Sequence, residues 1–313
     1  MDSSAIDVKT TPSSFTDSSA LLDNPPALRK RAAEDGYLFF KHFLPKEEIF
    51  ELRKDMLGVV DKYGWRQPGQ DAYGGLVDVQ ALNQVPEEKM RTDIGVSIEA
   101  YDDVQRLESF HRFPHHPRLR SLYRTLFDKD VLVHARHIAR MITPHKSVFP
   151  TPPHQDFPLI QGTSNTWTCW FPVGDCPREL GGLTVLRRSQ RYGYLPIQPA
   201  KGAGGIAVPL CSYDKEWVEG DFEAGDILTF SCYTIHRALR CKLKEQIRLS
   251  LDVRYQPVDE PVEAKSLLPH CDLTWEDIYA GWEKEDLKYY WRDLFLEPSP
   301  WDDGYLQPKR RIC

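Results

Sequence analysis

Between Val131 and Tyr255 the chain is written in short apolar runs, Val131–Met141, Thr166–Phe171, Leu183–Leu186, Ile227–Phe230 and Arg248–Tyr255. Gly, Pro and Asp break each run from the next. Runs this short, bounded by turn residues, cannot supply packed helices of ordinary length and are expected to form the strands of a sandwich or jelly roll. Helical patterning lies on either side. Asn24 can cap a helix whose first turn takes Pro25 and Pro26, and Gly36 would stop it. Tyr37–Phe40 then predicts a short buried strand. Pro45-Lys46-Glu47-Glu48 opens a second helix with Ile49, Leu52, Met56, Val59 and Val60 on one face, closed by Gly64. A third runs from Pro117 to Phe127. Residues 272–296 place Trp275, Ile278, Tyr279, Trp282, Leu287, Tyr290, Trp291 and Leu294 at helical spacing, which predicts a helix packed on the β-core or used as a dimer contact.

Residues 1–23 are rich in Ser, Thr and Asp without periodicity and are expected to be disordered. No repeat or linker divides the rest, so residues 24–313 are expected to form one catalytic domain with its β-core at about 131–257. A formal charge of −6 and a pI near 6.0 argue against nucleic acid as a partner, which needs a basic face. The run Lys309-Arg310-Arg311 at the end is expected to be solvated. Seven scattered cysteines (169, 176, 211, 232, 241, 271, 313) form no C-x-x-C pair and suit reduced thiols. The sequence shows no secretory signal, no apolar run long enough to span a membrane and no Ser-Lys-Leu ending, so a cytoplasmic address is expected.

Within the β-patterned region stand His154-Gln155-Asp156 and, eighty positions beyond Asp156, His236. Two imidazoles and a carboxylate are the donor set that holds non-haem Fe(II) on one octahedral face and leaves the other positions for O₂ and an oxidisable cosubstrate. On a strand, positions i and i+2 share a face, so His154 and Asp156 would aim at one point while Gln155 turns away. Zinc accepts the same ligands, but a zinc site would not explain the cation placed after the third of them. That cation is Arg248, followed at i+2 by Ser250. A guanidinium and a hydroxyl on one strand face can hold a carboxylate; a structural arginine paired with Asp or Glu is the competing account.

Pro153-His154-Gln155-Asp156, Trp170, Gly181-Gly182-Leu183-Thr184-Val185-Leu186, Gly225-Asp226, His236 and Arg248 together resemble the phytanoyl-CoA dioxygenase family of Fe(II)/2-oxoglutarate oxygenases, specifically over Val148 to Pro257. The resemblance implies a mainly β fold, a double-stranded β-helix (jelly-roll, cupin-like) with flanking α-helices. It implies iron on His154, Asp156 and His236, and 2-oxoglutarate on Arg248 assisted by Ser250, with Thr184 and Trp170 at positions that contact the cosubstrate in relatives. The chain departs from the family after Leu186, where Arg187-Arg188-Ser189-Gln190 replaces a frequent Pro-Gly-Ser-His. Halogenating relatives lack the carboxylate ligand; Asp156 is present here, which favours hydroxylation.

Val131–Met141 would carry His134, Arg136 and Arg140 on one face and His137 on the other, candidate pocket residues for an acidic or polar substrate. Gln161–Asn165 is a loop that could cover the iron, and Pro199–Gly205 one that could act as a lid. The expected activity is 2-oxoglutarate-dependent oxidation of a small organic molecule by a monomer or homodimer, consuming O₂ and releasing succinate and CO₂. The competing classes are a non-catalytic ligand-binding or sensing protein of the same fold and a metal-dependent cupin isomerase or hydrolase.

Overall fold

A computed structural model describes residues 12–210 and 216–308. In chain order its main strands are β1 (Tyr37–Phe40), β2 (Val131–Val133), β3 (Ile138–Ile142), β4 (Trp167–Pro172), β5 (Leu183–Leu186), β6 (Trp217–Val218), β7 (Ile227–Ser231), β8 (His236–Ala238) and β9 (Arg248–Pro257). A six-stranded sheet runs β1-β7-β4-β9-β2, with β3 sharing the free edge of β9; a three-stranded sheet runs β6-β5-β8. Every pairing in both is antiparallel. The longest strand, β9, organises the larger sheet because its residues alternate. Leu249, Leu251, Val253 and Tyr255 join the apolar core under the helices, while Arg248, Asp252 and Arg254 line a cleft on the other face.

The helices that cover the outer face are α1 (Pro25–Asp35), α2 (Lys46–Lys62), α3 (Ile98–Gln105) and α4 (Pro117–Phe127). The Asn24 side chain accepts from the Ala27 amide at 3.2 Å, as a cap should. Gly36 ends α1 at φ +77°, and a Cβ there would collide with the Gln190 side chain. Ile49, Leu52, Met56, Val59 and Val60 of α2 are all buried against Phe40, Tyr101 and Phe171 of one continuous core. A second apolar cluster, with Tyr37, Phe39, Trp170, Val185, Phe222 and Phe230, fills the space between the sheets. No described helix is long and apolar enough to cross a membrane.

Three expectations need correction. Residues 12–23 are not disordered: Ser13 bridges Val218, Asp17 bridges Phe39, and Phe15 stacks on Phe39 at 5.0 Å and meets Phe222 at 5.3 Å. One aromatic ring and two backbone bridges hold a segment that composition alone would leave loose. The single strand expected over 131–141 is two, broken where His134 donates its amide to Arg254 O and Arg136 donates to Ser266 O. Residues 272–296 contain only the helix Trp275–Tyr279, capped by Thr274 and Asp277, and a 3₁₀ turn at Tyr290–Asp293. A bidentate Arg112–Asp286 pair, both bonds 2.7 Å, pins the turn between them. The aromatic rings reach one cluster from successive turns, packing on Leu132, Ala135 and Val262 of the β-core's side.

Cys169, Cys176 and Cys232 are buried free thiols, and Cys241 and Cys271 are free and half-buried. Residues 1–11 of the tail, Cys211, Cys313 and the Lys309–Arg311 run lie outside the described residues.

Candidate metal centre

His154 and His236 are paired through their backbones: each amide donates to the other's carbonyl at 3.0 Å. The pairing sets the ring centroids 4.2 Å apart. Each Nδ1 lies against a carbonyl on its own chain, Pro152 O at 2.8 Å for His154 and Thr234 O at 3.0 Å for His236. A carbonyl can only accept, so Nδ1 carries the proton and Nε2 presents a lone pair. The two Nε2 atoms stand 3.6 and 3.7 Å from the same oxygen, Asp156 Oδ1. One ligand atom from each of the three buried residues lies within 4.8 Å of the others, close enough to hold a single ion.

Asp156 reaches this point differently from the strand geometry expected. Only His154 makes a β-bridge; Asp156 has helical backbone (φ −74°, ψ −30°) and starts the short helix Phe157–Ile160. Gln155 turns away as expected, its amide bonding Gly193 O, Tyr233 O and Leu195 N. The second carboxylate oxygen, Oδ2, accepts from the Thr168 hydroxyl and lies 3.4 Å from Arg254 Nη2. Thr168 and Arg254 are direct cross-strand partners on β4 and β9, so one rung of the sheet holds one oxygen of the ligand and leaves Oδ1 for a metal. Burial alone would raise the Asp156 pKa, but Arg254 and the two imidazoles override it and hold the carboxyl well below its usual range. Burial, with His154 beside it, pushes His236 down to about 4, so it stays neutral and able to ligate at neutral pH.

Arg248 is 3% exposed, with its guanidinium carbon 6.0 Å from the Trp170 ring centre. One Nη donates to the Gly181 carbonyl; its Nε and the Ser250 hydroxyl are buried with no partner among the described residues. No carboxylate lies within ion-pair distance of it there, which removes the structural-arginine account; Asp252, two residues beyond Ser250, is taken by Arg140 at 2.7 Å. Buried donors without partners carry a standing cost, which an incoming carboxylate would relieve. The residues present therefore fit both an Fe(II) ion and a 2-oxo acid.

A thin cleft touches the three ligands, Thr168, Trp170 and Arg248. Beside it, sharing Arg140, His154, Asp156 and Arg254, lies a cavity of about 220 Å³ also lined by His134 and Arg136, so three of the pocket candidates border the centre. His137 points elsewhere, packed against His111, His115 and Phe110. Thr184 is also off the site, because strand alternation gives that place to Leu183 and turns the Thr184 hydroxyl to Val218 O at 2.9 Å. Gln161 bonds the backbone of Asp302, and Thr163 and Asn165 bond Glu260, so this loop is held away from the ligands. The other loop does border the cavity, through Ala203 and Gly204. Thr168, Asp252, Arg254 and Lys265 were missed from sequence. The alternation Arg248-Leu249-Ser250-Leu251-Asp252-Val253-Arg254 carried the signal for two of them, since every second residue is polar.

A family model described as phytanoyl-CoA dioxygenase (PhyH) matches residues 32–242. The chain is 24% identical over 270 residues to 1-deoxypentalenic acid 11-beta-hydroxylase of Streptomyces arenae, covering 82% of this chain and 90% of the relative. The protein of the same name from Streptomyces exfoliatus is 22% identical over 270 residues with the same coverage, 82% and 90%. Among solved structures, the epimerase SnoN in complex with Fe3+, alpha ketoglutarate and nogalamycin RO superposes with a TM-score of 0.53 at 18% identity, over 77% of this chain and 86% of that one. That likeness shows a shared fold. The match to the family model runs from the helix ahead of β1 past His154, Asp156 and His236, two thirds of the chain, and the protein belongs to the phytanoyl-CoA dioxygenase family.

Proposed function

We propose that this iron- and 2-oxoglutarate-dependent oxygenase hydroxylates, or otherwise oxidises, a small organic molecule held in the cavity beside the metal ligands, with release of succinate and CO₂. The two antiparallel sheets are read as the two halves of a double-stranded β-helix, and residues 24–313 as one catalytic domain. His154, Asp156 and His236 would hold the iron through Nε2, Oδ1 and Nε2. When bound, the iron supplies the oxidising chemistry, driven by decarboxylation of 2-oxoglutarate.

The chain's own residues do the rest. Thr168 and Arg254 fix Asp156 so that one oxygen faces the metal. Arg248 and Ser250 would take the distal carboxylate of 2-oxoglutarate against Trp170. Burial of all three ligands keeps bulk water from the reacting centre. Asp156 would fill the coordination position that halide takes in halogenating relatives, so hydroxylation is the expected outcome. No described feature favours the non-catalytic reading.

The observation that carries the assignment is a prebuilt His–Asp–His face beside a buried arginine that has no acidic partner among the described residues. The test is anaerobic titration of the purified protein with Fe(II) and then 2-oxoglutarate. One equivalent of each should bind in wild type, while His236→Ala and Asp156→Ala should lose the iron. Wild-type iron binding in both variants would sink the ligand assignment.

A further inference from the structure

The cavity beside the metal ligands holds more positive charge than its own acids balance. Its lining includes Arg136, Arg140, Arg254 and Lys265, against Asp93 and Asp156. Arg140 is taken by Asp252 and Arg254 by Asp156, at 2.7 and 3.4 Å. Asp93 is closed into a bidentate pair with Arg91, both bonds 3.0 Å. Among the described residues this leaves Arg136 and Lys265 with no carboxylate in ion-pair range. Arg136 is not free to swing out: one Nη donates to Pro269 O at 2.6 Å, which fixes the guanidinium while no carboxylate among the described residues pairs with it. Lys265 Nζ sits 3.4 Å over the Trp301 ring. The field reaches the neighbouring imidazole as well: burial, then Arg136 and Arg140, push His270 well below its ordinary value. The same cavity has an apolar side, made by Ile138, Leu159 and Ile160.

We propose that the substrate is a compact carboxylic acid, its carboxylate held by Arg136 and Lys265 and its hydrocarbon body laid along Ile138, Leu159 and Ile160 toward the metal ligands. This rests on the oxygenase reading above. A carboxylate matches the planar fork of Arg136, and its charge supplies what the lining lacks. An ester or thioester carbonyl would leave both cations uncompensated. The volume, about 220 Å³, also falls below the ~300–1,000 Å³ usual for larger ligands, which favours the free acid over its coenzyme A thioester.

The test is calorimetric binding to the full chain loaded with Fe(II) and 2-oxoglutarate under nitrogen, where no turnover occurs. The probes are cyclohexanecarboxylate, adamantane-1-carboxylate and octanoate, each against its methyl ester, with octanoyl-CoA as a further arm. The acids should bind at least about tenfold more tightly than their esters, the scale of one charge-assisted hydrogen bond. Arg136→Gln should lower acid affinity about ten- to a hundredfold. Lys265→Gln should lower it about threefold, with the loss erased by high salt because this side chain is exposed. Ester and 2-oxoglutarate affinities should hold in both variants. Acids that bind no more tightly than esters, including a panel in which neither binds, overturn the proposal without needing any variant. So does an acid preference that survives Arg136→Gln with Lys265→Gln, or octanoyl-CoA binding more tightly than octanoate. A wild-type protein that takes up neither Fe(II) nor 2-oxoglutarate overturns the underlying oxygenase reading, and this one with it.

Discussion

Thr168→Val removes one oxygen from a rung of the central sheet and should weaken iron. Thr168 is 2% exposed, and valine has its size and branching, so neither a void nor a solvent channel is created. What goes is the hydroxyl that donates to Asp156 Oδ2. The remaining partner of that oxygen, Arg254 Nη2, stands at 3.4 Å, a long contact that does not replace the bond. A hydrogen bond to a charged acceptor contributes about 1.5–3 kcal/mol, a factor of roughly ten to more than a hundred. Loss of a group that orients a metal ligand costs about 10–100-fold in metal affinity, the same range. The assay is anaerobic competition for Fe(II) between the protein and a coloured chelator. Thr168→Val should fall in this range, and Thr168→Ser, which keeps the hydroxyl, should return most of the affinity. An iron affinity for Thr168→Val within about twofold of wild type would refute the idea that this rung holds the ligand.

Arg248→Ala should weaken 2-oxoglutarate by about two to three orders of magnitude, from a loss of ~3–5 kcal/mol, while iron is retained; calorimetry with the cosubstrate decides it. With chloride present the wild-type enzyme should give no chlorinated product by mass if Asp156 takes the ligand position proposed for it; Asp156→Gly should be mostly inactive. The packed histidines predict acid sensitivity. Burial pushes His111 to about 4 and His115 to about 3, and holds His137 well below the ordinary 6.5. Folded values below the unfolded one mean that this stability is complete above pH 6.5 and is lost as pH falls from there toward the folded values. Three protons taken up on unfolding set a slope of up to about 4 kcal/mol per pH unit. Urea midpoints should therefore be flat above about pH 7.5 and drop steeply below 6.5, and His111→Phe should flatten the drop; a midpoint independent of pH across this window would rule the cluster out as the cause.

What sequence could and could not reveal follows from where the information sits. Leu183–Leu186 and Pro117–Phe127 were legible to the residue because local pattern, caps and turn residues all agree there. His154, Asp156 and His236 were legible as a donor set, and the structure brings them together. The route was not: Asp156 turns with a helix rather than a strand pleat, and nothing local in His-Gln-Asp distinguishes the two. Thr168 and Arg254 gain their meaning only across a sheet, 86 residues apart in sequence, where no local pattern reports the register. The aromatics of 272–296 misled because rings at helical spacing pack equally well from successive turns. Phe15 misled in the opposite sense, a lone apolar residue anchoring a polar segment.

The reciprocal backbone bonds between His154 and His236 also bear on metal traffic. Peptide groups and carbonyl-fixed ring tautomers hold the two imidazoles at their spacing, so the polypeptide has already spent the entropy of assembling the face before an ion arrives. A face prepared this way is open to any divalent first-row ion, and nitrogen and oxygen donors bind Cu²⁺ and Zn²⁺ more strongly than Fe²⁺. The site cannot reject zinc by refusing to form. Which metal it carries is therefore decided by supply and by the order in which ions reach it, and a preparation exposed to traces of zinc should be folded, fully loaded and inert.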